Sequence, residues 1–324
     1  MKLWEEAPTT EWLGISFYTF GLYCAAGAVF AVAAVLILSG AMKLKKGSGI
    51  LLSFLSVLSG LLGSRLVFCV LNTFVSGGSS AVPWLRVSAG GWSMAGMVFG
   101  VLFAAWACSR ITGENCGMLQ DIVCCAVPLA IAAERFGERV FEGFDVSRAL
   151  QADRFPAHTF LAVRDSYYGD VSFLATYLLA SAAAVVLFLI LNICLVSPKR
   201  RDGDLRILFL LLFGSMSILL ESLRYDHFLE YSFVRFQQVL AAVLLAWGVI
   251  LACIRNRGSD KGLSLAAYLS LPAAIGICIG IEFALDRTGI SHLLLYAAMI
   301  LALAVPVSLG IALLGKNLKG QKAA

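Results

Sequence analysis

Nine long apolar runs, separated by short charged loops, fill this chain almost from end to end. The hydrocarbon core of a bilayer is roughly 30 Å thick, and about 20 apolar residues in a helix cross it. Inside lipid every backbone N–H and C=O must find its partner within the protein, so runs of this length read as helices. Composition agrees, with 60% of the 324 residues hydrophobic and 14% charged. Mean hydropathy is +0.87. That leaves too little polar surface for a soluble domain of this size, and no polar stretch is long enough to form one. The expected fold is an all-α polytopic transmembrane bundle of about nine spans.

The spans are predicted at Leu13–Leu38, Ile50–Val75, Gly91–Cys108, Met118–Glu134, Ser172–Val196, Ile207–Leu223, Phe233–Cys253, Leu263–Ala284 and Leu293–Leu314. Basic residues set their direction. Lys43, Lys45 and Lys46 occupy one loop, and Arg110 lies in the next loop on that side. Lys199, Arg200, Arg201 and Arg206 follow, then Arg255, Arg257 and Lys261, then Lys316, Lys319 and Lys322. With nine crossings all of these fall on one side, and the positive-inside rule makes that side cytoplasmic. The N-terminus, with Glu5, Glu6 and Glu11, is then outside and the C-terminus inside. The loop 135–170 mixes arginines with acids and suggests a small cap on the outer side. The first apolar run follows an acidic segment and is too long for a signal-peptide core, so it reads as a retained span.

Nothing in the sequence suggests a metal or other cofactor. Eight cysteines fall inside spans and Cys116 falls in a loop, without metal-ligand spacing. His158, His227 and His292 lack neighbours of ligand type. No disulfide is expected.

Charge at membrane depth is costly and points to function. Arg65 lies deep in the second span, Asp121 opens the fourth, and Glu134 and Arg135 close it. Glu221 and Arg224, three apart, share one face near the end of the sixth span. Gln237 and Gln238 begin the seventh, and Glu282 lies near the end of the eighth. The arginines could simply snorkel or pair with Glu134 and Glu221. Together, however, Arg65, Arg135 and Arg224 sit at matching depth on the outer side. Guanidinium is suited to bidentate phosphate binding, and a phospholipid headgroup supplies phosphate at that depth.

At these positions the chain resembles the prolipoprotein diacylglyceryl transferase family, bacterial inner-membrane enzymes. Colinear blocks run from about Gly14 to Arg255. Gly63-Ser64-Arg65-Leu66 is similar to the family's Gly-x-Arg turn, and Gly90-Gly91-Trp92-Ser93-Met94-Ala95-Gly96 to its Gly-Gly-x-Ser-Phe-His-Gly stretch. Asp121, Pro128, Arg135 and Gly137 keep the spacing that leads into the signature Gly-Arg-x-Gly-Asn-Phe-x-Asn-Gly-Glu. Glu221 and Arg224 match the last two charges of Arg-x-x-x-Glu-x-x-Arg, and Gln238 matches the glutamine that opens the last family span.

The departures are specific. Ala95 replaces a histidine, Glu138 an asparagine and Ser217 an arginine, and Thr19-Phe20-Gly21 lacks the family tyrosine. Glu142 reaches the family glutamate only after a one-residue shift. The last two spans have no counterpart in the usual seven-span architecture. The division expected is therefore a membrane core at 1–256, with the cap loop, and two added helices with a basic tail at 257–324.

The resemblance implies transfer of a diacylglyceryl group from phosphatidylglycerol to the cysteine thiol of a lipoprotein precursor. It casts Arg135 and Glu221 in catalysis, and His227, which matches no family position, joins them by its place three residues after Arg224. Substrate binding falls to Arg65, Arg135, Gly137, Glu142, Arg224 and Gln238. His227 is the better placed of two outer histidines to deprotonate the thiol, His158 being the other. The alternatives are a phospholipid- or lipopeptide-binding protein that has lost the reaction, and a transporter or channel. The absence of an internal repeat or an intramembrane acid–base chain argues against the last. Expected partners are phosphatidylglycerol or another anionic phospholipid and lipoprotein signal peptides, with no nucleic acid, acting on a monomer in the bacterial plasma membrane.

Overall fold

The computed structural model describes residues 9–12, 14–75, 91–141, 161–165, 171–197, 200–224, 230–231, 234–256 and 260–320. Among them are nine helices long and apolar enough to cross a membrane. They are α1 (Thr19–Ala41), α2 (Ser48–Val75), α3 (Met94–Thr112), α4 (Cys116–Gly137), α5 (Thr176–Leu195), α6 (Asp204–Leu223), α7 (Phe236–Arg255), α8 (Lys261–Arg287) and α9 (His292–Gly320). Cys116 thus opens α4 instead of lying in the preceding loop. The chain is a multi-pass membrane protein.

Four predicted spans, those of α1, α3, α5 and α7, begin ahead of their helices. The residues before α1, α5 and α7 form two-stranded antiparallel hairpins. These are β1 (Thr9–Trp12) with β2 (Ile15–Tyr18), β3 (Ala162–Asp165) with β4 (Val171–Leu174), and β5 (Glu230–Tyr231) with β6 (Val234–Arg235). Apolar and β-branched residues in β2, β4 and β6 prolong the hydrophobic run, and periodicity over so few residues does not separate strand from helix. Gly14, at φ +76°, makes the turn of the first hairpin.

Helix α4 is the centre of the bundle, and two-thirds of its apolar window is buried. Residues of α1 to α7 close around it in one core, including Leu119, Ile122 and Cys125 of α4 with Phe209 and Leu210 of α6. A second core joins the other face of α6 and α7 to α8 and α9, through Leu211, Leu245, Ala267 and Met299. The pair α6–α7 is therefore covered on both faces.

Small residues let the helices approach, as they must where lipid tails are as apolar as leucine. A Cβ on Gly63 of α2 would lie 2.6 Å from the Gly96 carbonyl oxygen of α3, and one on Gly214 of α6 would lie 2.7 Å from the Leu245 nitrogen of α7. Gly137 is used in the same way. A Cβ there would lie 2.7 Å from Tyr23 Cβ of α1, so this glycine lets α1 close on the end of α4.

The starts of odd-numbered helices and the ends of even-numbered ones share one end of the bundle. At the opposite end Asp121, fully buried, accepts from Arg200 Nη1 at 2.9 Å and from the backbone N–H groups of Gly203 and Arg206 at 2.8 Å each. A carboxylate there caps the N-terminus of α6. Asp121 anchors the α5–α6 turn onto the start of α4.

Candidate active site

Four charged side chains from α4 and α6 close a ring at the end of the bundle that carries the hairpins. Arg135 lies in the last turn of α4, where the helix dipole favours a cation. Its Nη1 donates to Glu138 Oε1 at 2.7 Å and its Nη2 to Glu221 Oε1 at 3.0 Å. Arg224, the residue that ends α6, donates from Nη1 to both Glu138 oxygens, at 2.9 and 3.1 Å. Its Nε lies 3.8 Å from Glu221 Oε2 and completes the circuit. Helical spacing supplies two of the contacts, since Arg135–Glu138 and Glu221–Arg224 are three residues apart. Glu134 adds a third carboxylate, 3.6 Å from Arg135 Nε.

A narrow cavity runs from this ring into the bundle, lined by Met94, Arg135, Thr176, Ser217, Glu221 and Arg224, with Phe213 among its apolar walls. Its free space is about 20 Å³, room for about one water. That space is too small for a phosphate group. Each guanidinium is already paired, so the ring both holds the cations in place and competes with an incoming anion.

The structure brings Arg135, Glu221 and Arg224 together. It places Arg65 elsewhere. That side chain is buried, donates from Nη1 to the Gly91 carbonyl at 2.9 Å, and lies over the rings of Phe68 and Trp92 at 5.7 and 5.6 Å. Gly91 has φ +81°, and a Cβ would run into the Phe68 ring, so glycine is required there. Arg65 thus secures the segment leading to Ser93 and Met94, and Met94 Sδ lies 3.8 Å from Arg135 Nη2. Ser93 Oγ in turn donates to Gln237 of α7 at 3.3 Å. Gln238 donates to Glu282 of α8 at 2.8 Å and to the Ile218 carbonyl at 3.3 Å. Ala95 is buried in the main core. His158, His227 and Glu142 lie outside the described residues.

One residue of this end escaped the sequence reading. Arg235, the N-cap of α7, is 5% exposed and donates from Nη1 to the carbonyls of Glu221 and Arg224, at 2.8 Å each. It thereby ties the start of α7 to carbonyls at the end of α6, where the Glu221 carbonyl also accepts from the Arg224 N–H at 3.3 Å. The signal was available, because Arg235 falls inside the predicted span Phe233–Cys253, where an arginine must find a partner.

The ring thus gathers two guanidinium groups and their carboxylate partners at one end of the bundle, over a narrow cavity. Comparison with known proteins places the chain. Two curated relatives, each named phosphatidylglycerol–prolipoprotein diacylglyceryl transferase, come from Thermotoga petrophila and Thermotoga maritima. Each is 28% identical over 201 residues, which cover 61% of this chain and 67% of the relative. The family model for prolipoprotein diacylglyceryl transferase matches residues 9–254, from the first hairpin to the end of α7, and the chain belongs to that family.

Proposed function

We propose that this protein transfers the diacylglyceryl group of phosphatidylglycerol to the cysteine thiol of a lipoprotein precursor. The observation that carries the reading is the pair Arg135 and Arg224, brought from two helices onto shared carboxylates above a cavity. The lipid phosphate takes the place of Glu138 between the guanidinium groups. Sulfur attacks the glyceryl carbon bonded to the phosphate oxygen. The C–S bond forms, the C–O bond breaks with its electrons going to oxygen, and glycerol phosphate leaves. Arg135 and Arg224 stabilise the charge that grows on the leaving oxygen. Glu221 fixes both arginines. The thiol must first lose its proton, since the thiolate is the nucleophile, and we assign that step to His227. Gly137, Gln238, Arg65 and Glu142 complete the substrate-binding set in this reading, Arg65 by holding the Gly91–Met94 segment.

The ring end then faces the outer side of the bacterial plasma membrane, and the end carrying Lys45, Arg200, Arg206 and Arg255 faces the cytoplasm. Residues 1–256 form the transferase core of a monomer, and 257–324 form an added helical pair with a basic tail.

One observation favours a second reading, binding without transfer. Glu138 spans both arginines where the family motif has a neutral asparagine, and Ala95 stands in the core where the motif has a histidine. General acid–base assistance contributes about 10²–10⁴-fold, so loss of one such group slows a reaction without removing lipid binding. The deciding experiment follows labelled diacylglycerol from phosphatidylglycerol to a lipobox peptide with purified protein. Slow transfer that depends on Arg135 is expected. Phosphatidylglycerol binding without transfer selects the second reading, and absence of both overturns the site.

A further inference from the structure

Arg235 is paired unlike the two arginines of the ring. It is buried, and among the described residues it forms no ion pair with a carboxylate. Its Nη1 serves the carbonyls of Glu221 and Arg224, and its buried Nη2 has no hydrogen-bond partner. A buried guanidinium without a carboxylate and with a donor left over is a cost to the fold. A neutral donor would tie α7 to the same two carbonyls without that cost. Folding alone therefore accounts for the two bonds and leaves the charge unexplained.

The ring supplies a reason for the charge. Arg135 and Arg224 together face three carboxylates, Glu134, Glu138 and Glu221, so the ring carries one negative charge in excess. Ser217, which stands where the motif has an arginine, lines the cavity and offsets none of it. A phosphate approaching such a ring is repelled unless a further cation lies close. Arg235 is joined to the backbone of two ring members, and in a site mostly closed to water its charge is felt further than in bulk solvent. The end of a helix carries only roughly half an elementary negative charge, so bonding the end of α6 leaves Arg235 with positive charge to spare.

The same bonds set direction. Arg224 leaves α6 in extended conformation, at φ −75° and ψ 145°. Arg235 holds the carbonyl at this bend and the Glu221 carbonyl within the helix, at 2.8 Å each. The Arg224 side chain therefore starts from a fixed point on its way to Glu138.

We propose that Arg235 is a positioning residue for the lipid phosphate. It holds Glu221 and Arg224 by their backbone and offsets the excess negative charge of the ring, without touching the lipid itself. This role rests on the ring being the phosphate site of the transferase reading.

The test uses the full chain in a neutral detergent, titrated with phosphatidylglycerol and, separately, with diacylglycerol, which shares the acyl chains and lacks the phosphate. Calorimetry gives both affinities, and a thermal scan gives the melting midpoint. Arg235→Gln keeps an N–H donor and removes the charge. Its phosphatidylglycerol affinity falls about tenfold, while diacylglycerol affinity and the midpoint stay at their wild-type values. Arg235→Lys keeps the charge and holds phosphatidylglycerol within about threefold of wild type. A merely structural arginine would lose both lipids in step with the midpoint, and that outcome overturns the proposal. If Arg235→Gln fails to fold, Arg235→Lys decides, because a loss of about tenfold or more with the charge still present also overturns it. Arg135→Ala separates this role from the reading beneath it. Weakened phosphatidylglycerol binding in Arg135→Ala beside wild-type binding in Arg235→Gln removes Arg235 and leaves the phosphate site. Wild-type binding in Arg135→Ala removes the phosphate site, and the role of Arg235 with it.

Discussion

Glu138 makes hydrogen bonds to two arginines from different helices, at 2.7 Å to Arg135 and at 2.9 and 3.1 Å to Arg224. Arg135→Ala therefore does more than remove one cation, because it leaves Glu138 and Glu221 close together in a site that is mostly closed to water. Breaking a buried pair in this way costs about 3 kcal/mol. Arg135→Ala with Glu138→Ala should be less unstable than the sum of the single changes by about 1 kcal/mol or more, measured as a double-mutant cycle of detergent unfolding. Additive losses would mean that the two side chains do not share energy. Separately, Glu138→Asn restores the family residue and removes the carboxylate bonded to Nη1 of both arginines, while Glu221 stays beside them. Phosphatidylglycerol affinity should rise about tenfold, the scale of one charge-assisted bond, and titration calorimetry would read it. Unchanged affinity would remove Glu138 as a competitor. Arg135, Glu221 and Arg224 are legible in the sequence because each is charged at the edge of an apolar run and each matches a motif position. Arg235 meets only the first criterion, and its contacts with the carbonyls of Glu221 and Arg224 depend on a fold in which α7 starts where α6 ends.

Among the elements, the seam between α2 and α3 sets where Arg65 and Met94 come to lie. The obstacle to a larger residue at Gly63 is a backbone carbonyl, which cannot rotate away as a side chain can. Gly63→Val should cost about 1–3 kcal/mol by overpacking, and Gly63→Ala less. It should also lower lipid binding, since separation of the helices withdraws the Gly91–Met94 segment from Arg135. A Gly63→Val protein with wild-type melting and binding would show that the seam is loose. Helices were the legible part of the sequence because length and hydropathy define them without reference to partners. The hairpins were not legible, since Ile15–Tyr18 and Val171–Leu174 continue the same apolar pattern. Their strands are only two to four residues long, and the hydrophobic run carries no mark where extended chain gives way to helix.

Across the whole molecule, α8 and α9 lie beyond the family match yet are tied into the site end. Glu282 accepts from Gln238 at 2.8 Å, and the Tyr296 hydroxyl donates to the Ser222 carbonyl at 3.3 Å. Gly310 of α9 sits against Leu211 of α6, where a Cβ would lie 2.7 Å from the leucine side chain. A chain ending after Asn256 should insert in the membrane, melt at lower temperature and bind phosphatidylglycerol more weakly. Full binding at the wild-type melting temperature would make the added pair a bystander. The second core gives this arrangement a mechanical meaning. With α6 and α7 braced from behind by α8 and α9, the helices that carry Glu221, Arg224 and Arg235 have little room to yield when the surrounding bilayer presses on the bundle.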